Sequence, residues 1–314
     1  MGPVIGVDVG GTKILAVRLD DDDIGAEARA ETPSGGEAVL DKIAEVVRSL
    51  GPVDAVGVGV PGLVDNGGVL RFAPNLPRVV GLPVRERLQE RLPGVIVAAA
   101  NDATCAGWAE RVLGAGQGSA DLLMVTLGTG IGGGLVCNGE LQLGANGFSG
   151  EIGHMVVDPN GPPCPCGNRG CWERFASGSG LGRLGREAAE AGLAPRVVTL
   201  AGGDPVAVRG EHVATAALEG DPGAKAVIDT FAWWVALGLA NLANIFDPEC
   251  IVIGGGLAAS GQVFLEPVRV VFQELVEAYS YRPPIRIVLA RLGERAGAVG
   301  AALIAREAPP AGCS

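Results

Sequence analysis

Two stretches of this sequence repeat one pattern: an apolar strand, a turn of glycine and threonine, and a second apolar strand. In the first stretch, Val4–Val9 and Lys13–Leu19 flank the turn Gly10–Thr12. In the second, Leu122–Leu127 precedes the run Gly128–Gly134, and another apolar strand follows. An internal repeat of this kind indicates two related α/β domains.

Hydrophobic periodicity predicts helices and strands that alternate along the rest of the chain. The predicted helices are Ala38–Leu50, Val84–Leu92, Asp102–Leu113, Ala224–Phe246 and Ala296–Arg306. The predicted strands are Ala55–Val60, Val95–Ala99 and Ile251–Ile253. We expect a small N-terminal α/β domain over 1–115, completed by the C-terminal helix near 296–314, and a larger α/β domain over 116–295.

The first glycine turn has the residues of a phosphate site. Backbone N–H groups in a glycine turn can approach phosphate oxygens closely, Thr12 adds a hydroxyl and Lys13 a charge. Asp8, at the end of the strand, could hold Mg²⁺ through water. The spacing differs from that of a Walker loop, and no helix follows. An ordinary glycine hairpin is the alternative interpretation.

The second turn, Gly128–Gly133, satisfies the pattern G-x-G-x-x-G, which opens a helix in dinucleotide-binding proteins. Here strand-like residues and an Asn138-Gly139 turn follow, so we reject dinucleotide binding and interpret the run as a second phosphate loop. A bulged hairpin is the alternative. A third glycine turn, Gly254–Gly256, could admit an adenine or ribose, or could simply connect a strand to a helix.

The most specific chemical signal is His154 followed by Cys164, Cys166 and Cys171. Three thiolates and one imidazole are a ligand set of structural zinc sites, and four protein ligands leave no open position for catalysis. Three reduced cysteines in a loop are the alternative. The chain has 7 cysteines in total, and the others are scattered. This is not a disulfide framework, and it fits a reducing cytosol.

Asp102 follows Asn101 at the end of an extended run and opens a predicted helix. Two interpretations compete for it: a helix N-cap, and a general base for a hydroxyl nucleophile. Several polar side chains, including Asn101 and Asp102, could surround a polyol. The full set is Asn75, Asn101, Asp102, Glu151, His154 and Glu173.

The charge of the chain bears on its partners. A formal net charge of −11 disfavours nucleic acid and anionic membranes as partners. We find no charged-then-apolar leader before Val4 and predict that no apolar stretch reaches the length of a membrane span. We therefore expect a cytoplasmic protein with no nucleic-acid or membrane partner.

Taken together, these residues resemble the ROK family (repressors, open reading frames and kinases), over most of the chain. The motifs that carry the resemblance are Asp8–Lys13, Ala73–Leu76, Asn101–Ala103, Gly128–Gly134, Gly150–His154, Cys164–Glu173 and Ile253–Gly256. The cysteine block with its preceding Glu-x-Gly-His is highly specific to this family. Within the family, the sequence is similar to bacterial glucokinases.

The resemblance implies an actin-like, hexokinase-type (ribonuclease H-like) fold, with two α/β domains flanking a cleft. It implies phosphorylation of glucose at its 6-hydroxyl by ATP with Mg²⁺, with Asp102 as the catalytic base and a structural zinc. The residues implied to bind sugar are Asn75, Asn101, Asp102, Glu151, His154 and Glu173. Those implied to bind the nucleotide are Asp8, Gly10, Gly11, Thr12, Lys13, Thr129, Gly130, Gly132, Gly254, Gly255 and Gly256. A homodimer or homotetramer is implied as well.

Several alternatives stay open at this point. Mannose, fructose, N-acetylmannosamine and N-acetylglucosamine are sugars used within the family, and polyphosphate or ADP could replace ATP. A sugar-sensing repressor would need a DNA-binding helix-turn-helix before the first strand, where only three residues precede Val4. One departure from the glucokinase pattern is Pro77-Arg78-Val79, where a tryptophan often follows the Asn-Leu pair.

Overall fold

The computed structural model describes residues 2–73 and 79–308. The strands are β1 Val4–Val9, β2 Lys13–Asp20, β3 Asp23–Glu31, β4 Ala55–Val60, β5 Leu63–Val64, β6 Val69–Phe72, β7 Leu82–Pro83, β8 Ile96–Asn101, β9 Leu122–Leu127, β10 Ile131–Cys137, β11 Glu140–Leu141, β12 Cys250–Gly254 and β13 Arg286–Leu289. The α-helices are α1 Gly36–Ser49, α2 Val84–Arg91, α3 Asp102–Val112, α4 Glu173–Ala176, α5 Gly178–Glu190, α6 Pro195–Leu200, α7 Gly210–Leu218, α8 Pro222–Phe246, α9 Gly261–Leu275 and α10 Ala296–Glu307. Short 3₁₀ helices cover Ile152–His154, Pro205–Ala207, Gly256–Ser260, Tyr279–Tyr281 and Gly293–Arg295.

Two five-stranded sheets repeat one strand order. The first runs β3-β2-β1-β4-β8, and the second runs β11-β10-β9-β12-β13. In the first, β1 pairs antiparallel with β2 and parallel with β4, so that Val7 lies between Ala16 and Val58. In each sheet, the first three strands are consecutive in the chain, and two later strands extend the sheet next to the first of them, β1 or β9. The predicted internal repeat is therefore confirmed, and the small sheet β5-β6-β7 is an addition to it.

The predicted elements are present, with one difference at the second glycine run. That run was expected to form a turn up to Gly134, but β10 already begins at Ile131. The turn is therefore limited to Gly128–Gly130. Gly134 therefore lies in β10. A methyl group at this position would come within 2.9 Å of Ala103 O, so a glycine allows β10 and α3 to approach more closely than a side chain would permit.

Backbone contacts divide the chain into two compact units. Unit 1 comprises Met1–Met124, Gly133–Gly150 and Ala290–Ser314, and unit 2 comprises Val125–Gly132 and Glu151–Leu289. The predicted division of the sequence at residue 115 stays a prediction.

Glycines bring the last helix directly onto the first sheet of unit 1. A methyl group at Gly6 of β1 would collide with Ala298 O of α10, and one at Gly57 of β4 would collide with Ala301 O. Because no side chain separates them, α10 packs against these strands at backbone distance. This close packing carries the N-terminal end of α10 to the end of β1, where Asp8 lies.

The core of unit 2 is built around α8. Phe231 of α8 meets Phe264 of α9 edge to face, with 5.6 Å between ring centroids. Trp172 is fully buried, and its indole N–H donates to Trp234 O over 2.7 Å. A methyl at Gly238 would collide with the Trp172 ring, so α8 is shaped around this tryptophan. Trp172 stands next to Cys171, and it therefore anchors the cysteine block to the core.

Helix α8 also corrects one expectation from the sequence. This helix of 25 residues contains an 18-residue window with a mean hydropathy of 1.5, so it is long and apolar enough to cross a membrane by length and composition alone. However, 61% of its most apolar window is buried inside the protein. Among the described residues, this helix is the one candidate span, and its burial is that of a core helix.

Candidate active site

Two partly buried carboxylates lie close together in unit 1. Asp8 is on β1 and Asp102 is the first residue of α3. Burial and the negative charge of Asp102 raise the pKa of Asp8 to about 7, against a smaller lowering effect of the positive charge of Lys13. Burial also raises the pKa of Asp102, against a hydrogen bond from the Ala103 N–H. Within the described residues, no group donates a hydrogen bond to the Asp8 carboxylate.

Gly297 leaves the space that the Asp8 carboxylate occupies, whereas a methyl group at Gly59 would be in ordinary van der Waals contact with both aspartates. A methyl at Gly297, in the first turn of α10, would lie 2.8 Å from both Cγ and Oδ1 of Asp8. A methyl at Gly59, on β4, would lie 3.5 Å from Cα of Asp102. The position of the Asp8 carboxylate is therefore set by backbone packed against its face. The sequence analysis missed Gly297, although it predicted the helix that carries it.

Asn101 is the N-cap of α3, and this excludes one of the two interpretations of Asp102. The Asn101 side-chain oxygen accepts from Ala103 N at 2.9 Å and from Thr104 N at 3.0 Å. Its amide donates to Gly62 O at 3.1 Å, which ties α3 to the end of β4. Asp102 stands inside the helix, so the N-cap interpretation of Asp102 is wrong. One amide N–H of Asn101 is left for a ligand.

The first glycine turn is exposed and is braced from one side. Gly10 N–H donates to Lys13 O at 2.8 Å, and the Thr32 hydroxyl donates to Gly10 O at 2.7 Å. Gly11 and Thr12 are exposed. Lys13 Nζ pairs with Glu294 at 2.7 Å. Ion pairs with Arg29 and Lys13 lower the pKa of Glu294 to about 2, so the charge of Lys13 is already partnered.

The second glycine turn belongs to unit 2. Gly128 N–H donates to Gly130 O at 3.0 Å, and Thr129 at the tip is exposed. Gly132 lies outside the turn, in β10, where its N–H donates to the Thr126 hydroxyl at 3.1 Å. That N–H is thus used within the sheet, which the sequence pattern did not predict.

The third glycine turn joins β12 to the 3₁₀ helix that leads into α9. Gly254 is the buried last residue of β12, whereas Gly255 and Gly256 are exposed. Gly255 has φ +80°, and a methyl there would be 2.6 Å from Leu127 O. Only glycine fits this conformation and this close approach to β9.

His154 and the three cysteines come together in unit 2. Their ligand atoms all lie within 4.8 Å of one another. The sulfurs of Cys166 and Cys171 are 3.6 Å apart, and Cys164 Sγ is 3.8 Å from His154 Nδ1. Bonds of about 2.3 Å from sulfur to a tetrahedral zinc would separate two sulfurs by about 3.8 Å, so the four residues fit this metal. Burial raises the pKa of the Cys164 and Cys171 thiols, and a bound cation would hold them as thiolates.

Two carboxylates flank His154. Glu151 Oε2 is 3.8 Å from His154 Nε2, and Glu173 Oε1 is 3.9 Å from Nδ1. Because Nδ1 faces Cys164, this nitrogen is the metal-side atom and Nε2 points toward Glu151. His154 and Glu151 are partly exposed, so the Nε2 edge is accessible to a polar ligand.

The predicted sugar-binding roles stay predictions, and the structure shows two contacts of the glycine turns that the sequence did not predict. Asn75 lies outside the described residues. Glu294, the partner of Lys13, and Ser179, whose hydroxyl donates to Thr129 O at 2.8 Å, were missed by sequence reasoning. Nothing in the sequence around either one signals its contact with a turn more than 40 residues away, since no local pattern reports long-range contacts.

Comparisons with known proteins were consistent with one another. The profile described as "ROK family" matches residues 4–308. Glucokinase of Streptomyces coelicolor is 38% identical over 317 residues, covering 99% of each chain. Glucokinase of Thermotoga maritima is 37% identical over 314 residues, covering 97% of each. A solved ROK family glucokinase from Streptomyces griseus, in complex with glucose and AMPPNP, has TM-score 0.87 and 39% identity and covers 98% of this chain and 100% of its own. This likeness confirms the predicted actin-like α/β fold.

Proposed function

The chain belongs to the ROK family and is one of its sugar kinases, and from this premise we propose that it is an ATP-dependent glucokinase that phosphorylates the 6-hydroxyl of glucose. The observation that carries this proposal is Asp102, a partly buried carboxylate at the start of α3, where Asn101 and not Asp102 caps the helix. Its raised pKa makes it a better proton acceptor than an ordinary aspartate, and it remains a carboxylate above that pKa.

In the proposed reaction, Asp102 accepts the proton of the 6-hydroxyl as the oxygen attacks the γ-phosphoryl group. A sugar hydroxyl is a poor nucleophile until its proton is removed. Asn101 orients Asp102, because it caps the helix that Asp102 begins. Asn101 and the sequence-predicted Asn75 also contact the sugar in this proposal.

Unit 2 contributes the other proposed sugar ligands, Glu151, His154 and Glu173. Carboxylate oxygens accept hydrogen bonds from sugar hydroxyls, and the Nε2 edge of His154 offers a further polar group. We propose that the zinc, held by His154, Cys164, Cys166 and Cys171, is structural. When bound, it fixes the imidazole ring and leaves no coordination position for substrate.

The phosphate groups of ATP are proposed to meet the turns at Gly10–Thr12 and Gly128–Gly130. Asp8 would hold Mg²⁺ through water, and this role is supported because no described residue donates a hydrogen bond to this partly buried carboxylate. Bound Mg²⁺ would neutralise charge on the phosphate oxygens. Gly254–Gly256 would lie along the adenosine, with Gly255 and Gly256 exposed for it. Lys13 must exchange its Glu294 partner if it is to contact phosphate.

A coupled assay across sugars and donors tests the proposal. Purified protein is assayed with glucose, mannose, fructose, N-acetylmannosamine and N-acetylglucosamine, each with ATP, ADP or polyphosphate. We expect glucose with ATP to give the highest kcat/KM. A higher value for another sugar under the same ATP concentration would contradict the assignment to glucose and leave the kinase class in place.

The same preparation, run at several concentrations on a sizing column, tests the predicted homodimer or homotetramer. Fractionation of cells tests the predicted cytoplasmic location.

A further inference from the structure

One carboxylate in unit 2 touches both the metal cluster and the phosphate-binding turn. Glu173 Oε1 is 3.2 Å from Cys164 Sγ. Its other oxygen, Oε2, lies over Gly130, where a methyl group would come within 2.5 Å of it. The side chain is only 17% exposed, so it has little freedom to leave either neighbour. A shift of the cluster would therefore displace Glu173 and change its contact with the turn.

Two residues that follow Glu173 donate hydrogen bonds to backbone carbonyl groups of the same turn. Gly178 N–H donates to Gly128 O at 2.7 Å, and the Ser179 hydroxyl donates to Thr129 O at 2.8 Å. Together with the contact between Glu173 and Gly130, every residue of the turn is held by the segment Cys171–Ser179. This segment begins at a metal ligand.

The segment is rigid enough to transmit a displacement. Trp172, between Cys171 and Glu173, is fully buried, and its backbone N–H donates to Met155 O at 2.8 Å. Ser177 is also buried and caps α5 by accepting from Gly180 N at 3.1 Å. Packed side chains and satisfied hydrogen bonds move together rather than one at a time.

From these contacts we infer that Cys171–Ser179 couples metal occupancy of the His154–cysteine cluster to the conformation of the Gly128–Gly130 turn, so that phosphate-donor affinity depends on the metal. The inference rests on the proposed function in assigning this turn to phosphate. It makes Glu173 and Ser179 positioning residues for the phosphate turn, in addition to the proposed contact of Glu173 with sugar.

Reciprocity supplies a test on the intact protein. If the metal strengthens nucleotide binding, the nucleotide must strengthen metal binding by the same factor. Zinc affinity is measured by competition with a chromogenic chelator, with and without saturating AMPPNP and without sugar. We expect AMPPNP to tighten zinc binding about five- to tenfold, the scale of one or two lost hydrogen bonds. Direct titration should show AMPPNP binding weakened by the same factor in the zinc-free variant Cys166→Ser.

Ser179→Ala separates this coupling from general stabilisation by ligand, because it cuts one attachment and touches no metal ligand. We expect this variant to bind zinc normally without AMPPNP and to lose part of the tightening with it. Ser34→Ala, at an exposed position of unit 1, should behave as wild type. Equal zinc affinity with and without bound AMPPNP in the wild type would overturn the inference, as would full tightening in Ser179→Ala. Either result leaves glucose phosphorylation by the wild type, and so the proposed function, untouched; a wild type that binds no AMPPNP would instead count against both.

Discussion

The two units hold their candidate site residues by different means. In unit 1, Asp8 and Asp102 stand on a regular strand and a regular helix, and glycines bring neighbouring backbone against them. In unit 2, His154 lies on a 3₁₀ turn, and the three cysteines lie on a loop with little regular structure. The first arrangement draws on the hydrogen-bond ladders and packing of the core. The second relies on non-covalent contacts between the side chains of loop residues.

This contrast indicates which of the two units needs a ligand to hold its candidate site residues in place. Close-packed backbone positions a side chain without any bound group. A loop with little regular structure gains order when it binds a metal, because the free energy of metal binding is then part of the free energy of folding. We therefore expect substitutions in unit 1 to change chemistry while the fold persists, and substitutions at the cluster to change both order and binding.

The largest effect is expected for Asp102→Asn. Loss of the general base should lower kcat by roughly 10²–10⁴-fold, because an amide cannot accept the proton of the 6-hydroxyl. The fold and glucose binding should persist, since Asn101 and not Asp102 caps α3. Steady-state kinetics, a melting curve and a glucose titration check this, with Asp23→Asn in the exposed β2–β3 hairpin as the control. A kcat near that of the wild type would rule out Asp102 as the base.

The next largest effect is expected for Cys166→Ser. Removing one of four ligands should lower zinc content well below one per chain and weaken glucose binding about 10- to 100-fold, because His154 then loses its fixed orientation. Metal analysis and a glucose titration measure the two effects. Cys137→Ser, a half-buried cysteine outside the cluster, should keep both properties. Intact glucose binding in a metal-free protein would show that the cluster does not position His154.

A smaller effect is expected from pH in unit 1. The pKa of Asp8 is raised to about 7, so its charged form is lost as the pH falls through neutrality. The Mg²⁺ concentration for half-maximal activity should rise as the pH falls, approaching about tenfold per pH unit below the pKa. Added Mg²⁺ should restore activity at low pH, because a bound cation favours the carboxylate. Kinetics at pH 6, 7 and 8 with Mg²⁺ titrated at each would reveal this, and a constant Mg²⁺ requirement would disprove it.

The smallest effect is expected for Gly297→Ala. Alanine favours a helix interior over glycine by about 1 kcal/mol, so the substitution alone should not destabilise α10. The new methyl group would however meet the Asp8 carboxylate at 2.8 Å and displace it. We expect a several-fold higher Mg²⁺ requirement with a melting temperature close to that of the wild type. Unchanged Mg²⁺ dependence would mean that Asp8 is not positioned through this contact.

Local patterns in the sequence predicted the secondary structure and the cluster of His154 with three cysteines. Alternating and helical periodicity predicted β1, β2, α1, α3 and α8 to within a few residues. The spacing of Cys164, Cys166 and Cys171 after His154 predicted a cluster that the structure brings together. Both results depend on residues close in the chain, because periodicity and ligand spacing report local conformation.

Tertiary structure alone decided which backbone presses on which carboxylate. Gly297 meets Asp8 across almost the whole length of the chain, and Gly130 meets Glu173 across some forty residues. No local pattern in the sequence signals either contact. The same holds for Asn101, which only the observed hydrogen bonds identify as the cap in place of Asp102. Close approach between distant segments depends on how whole elements pack, and packing is a property of the folded chain that no short stretch of sequence encodes.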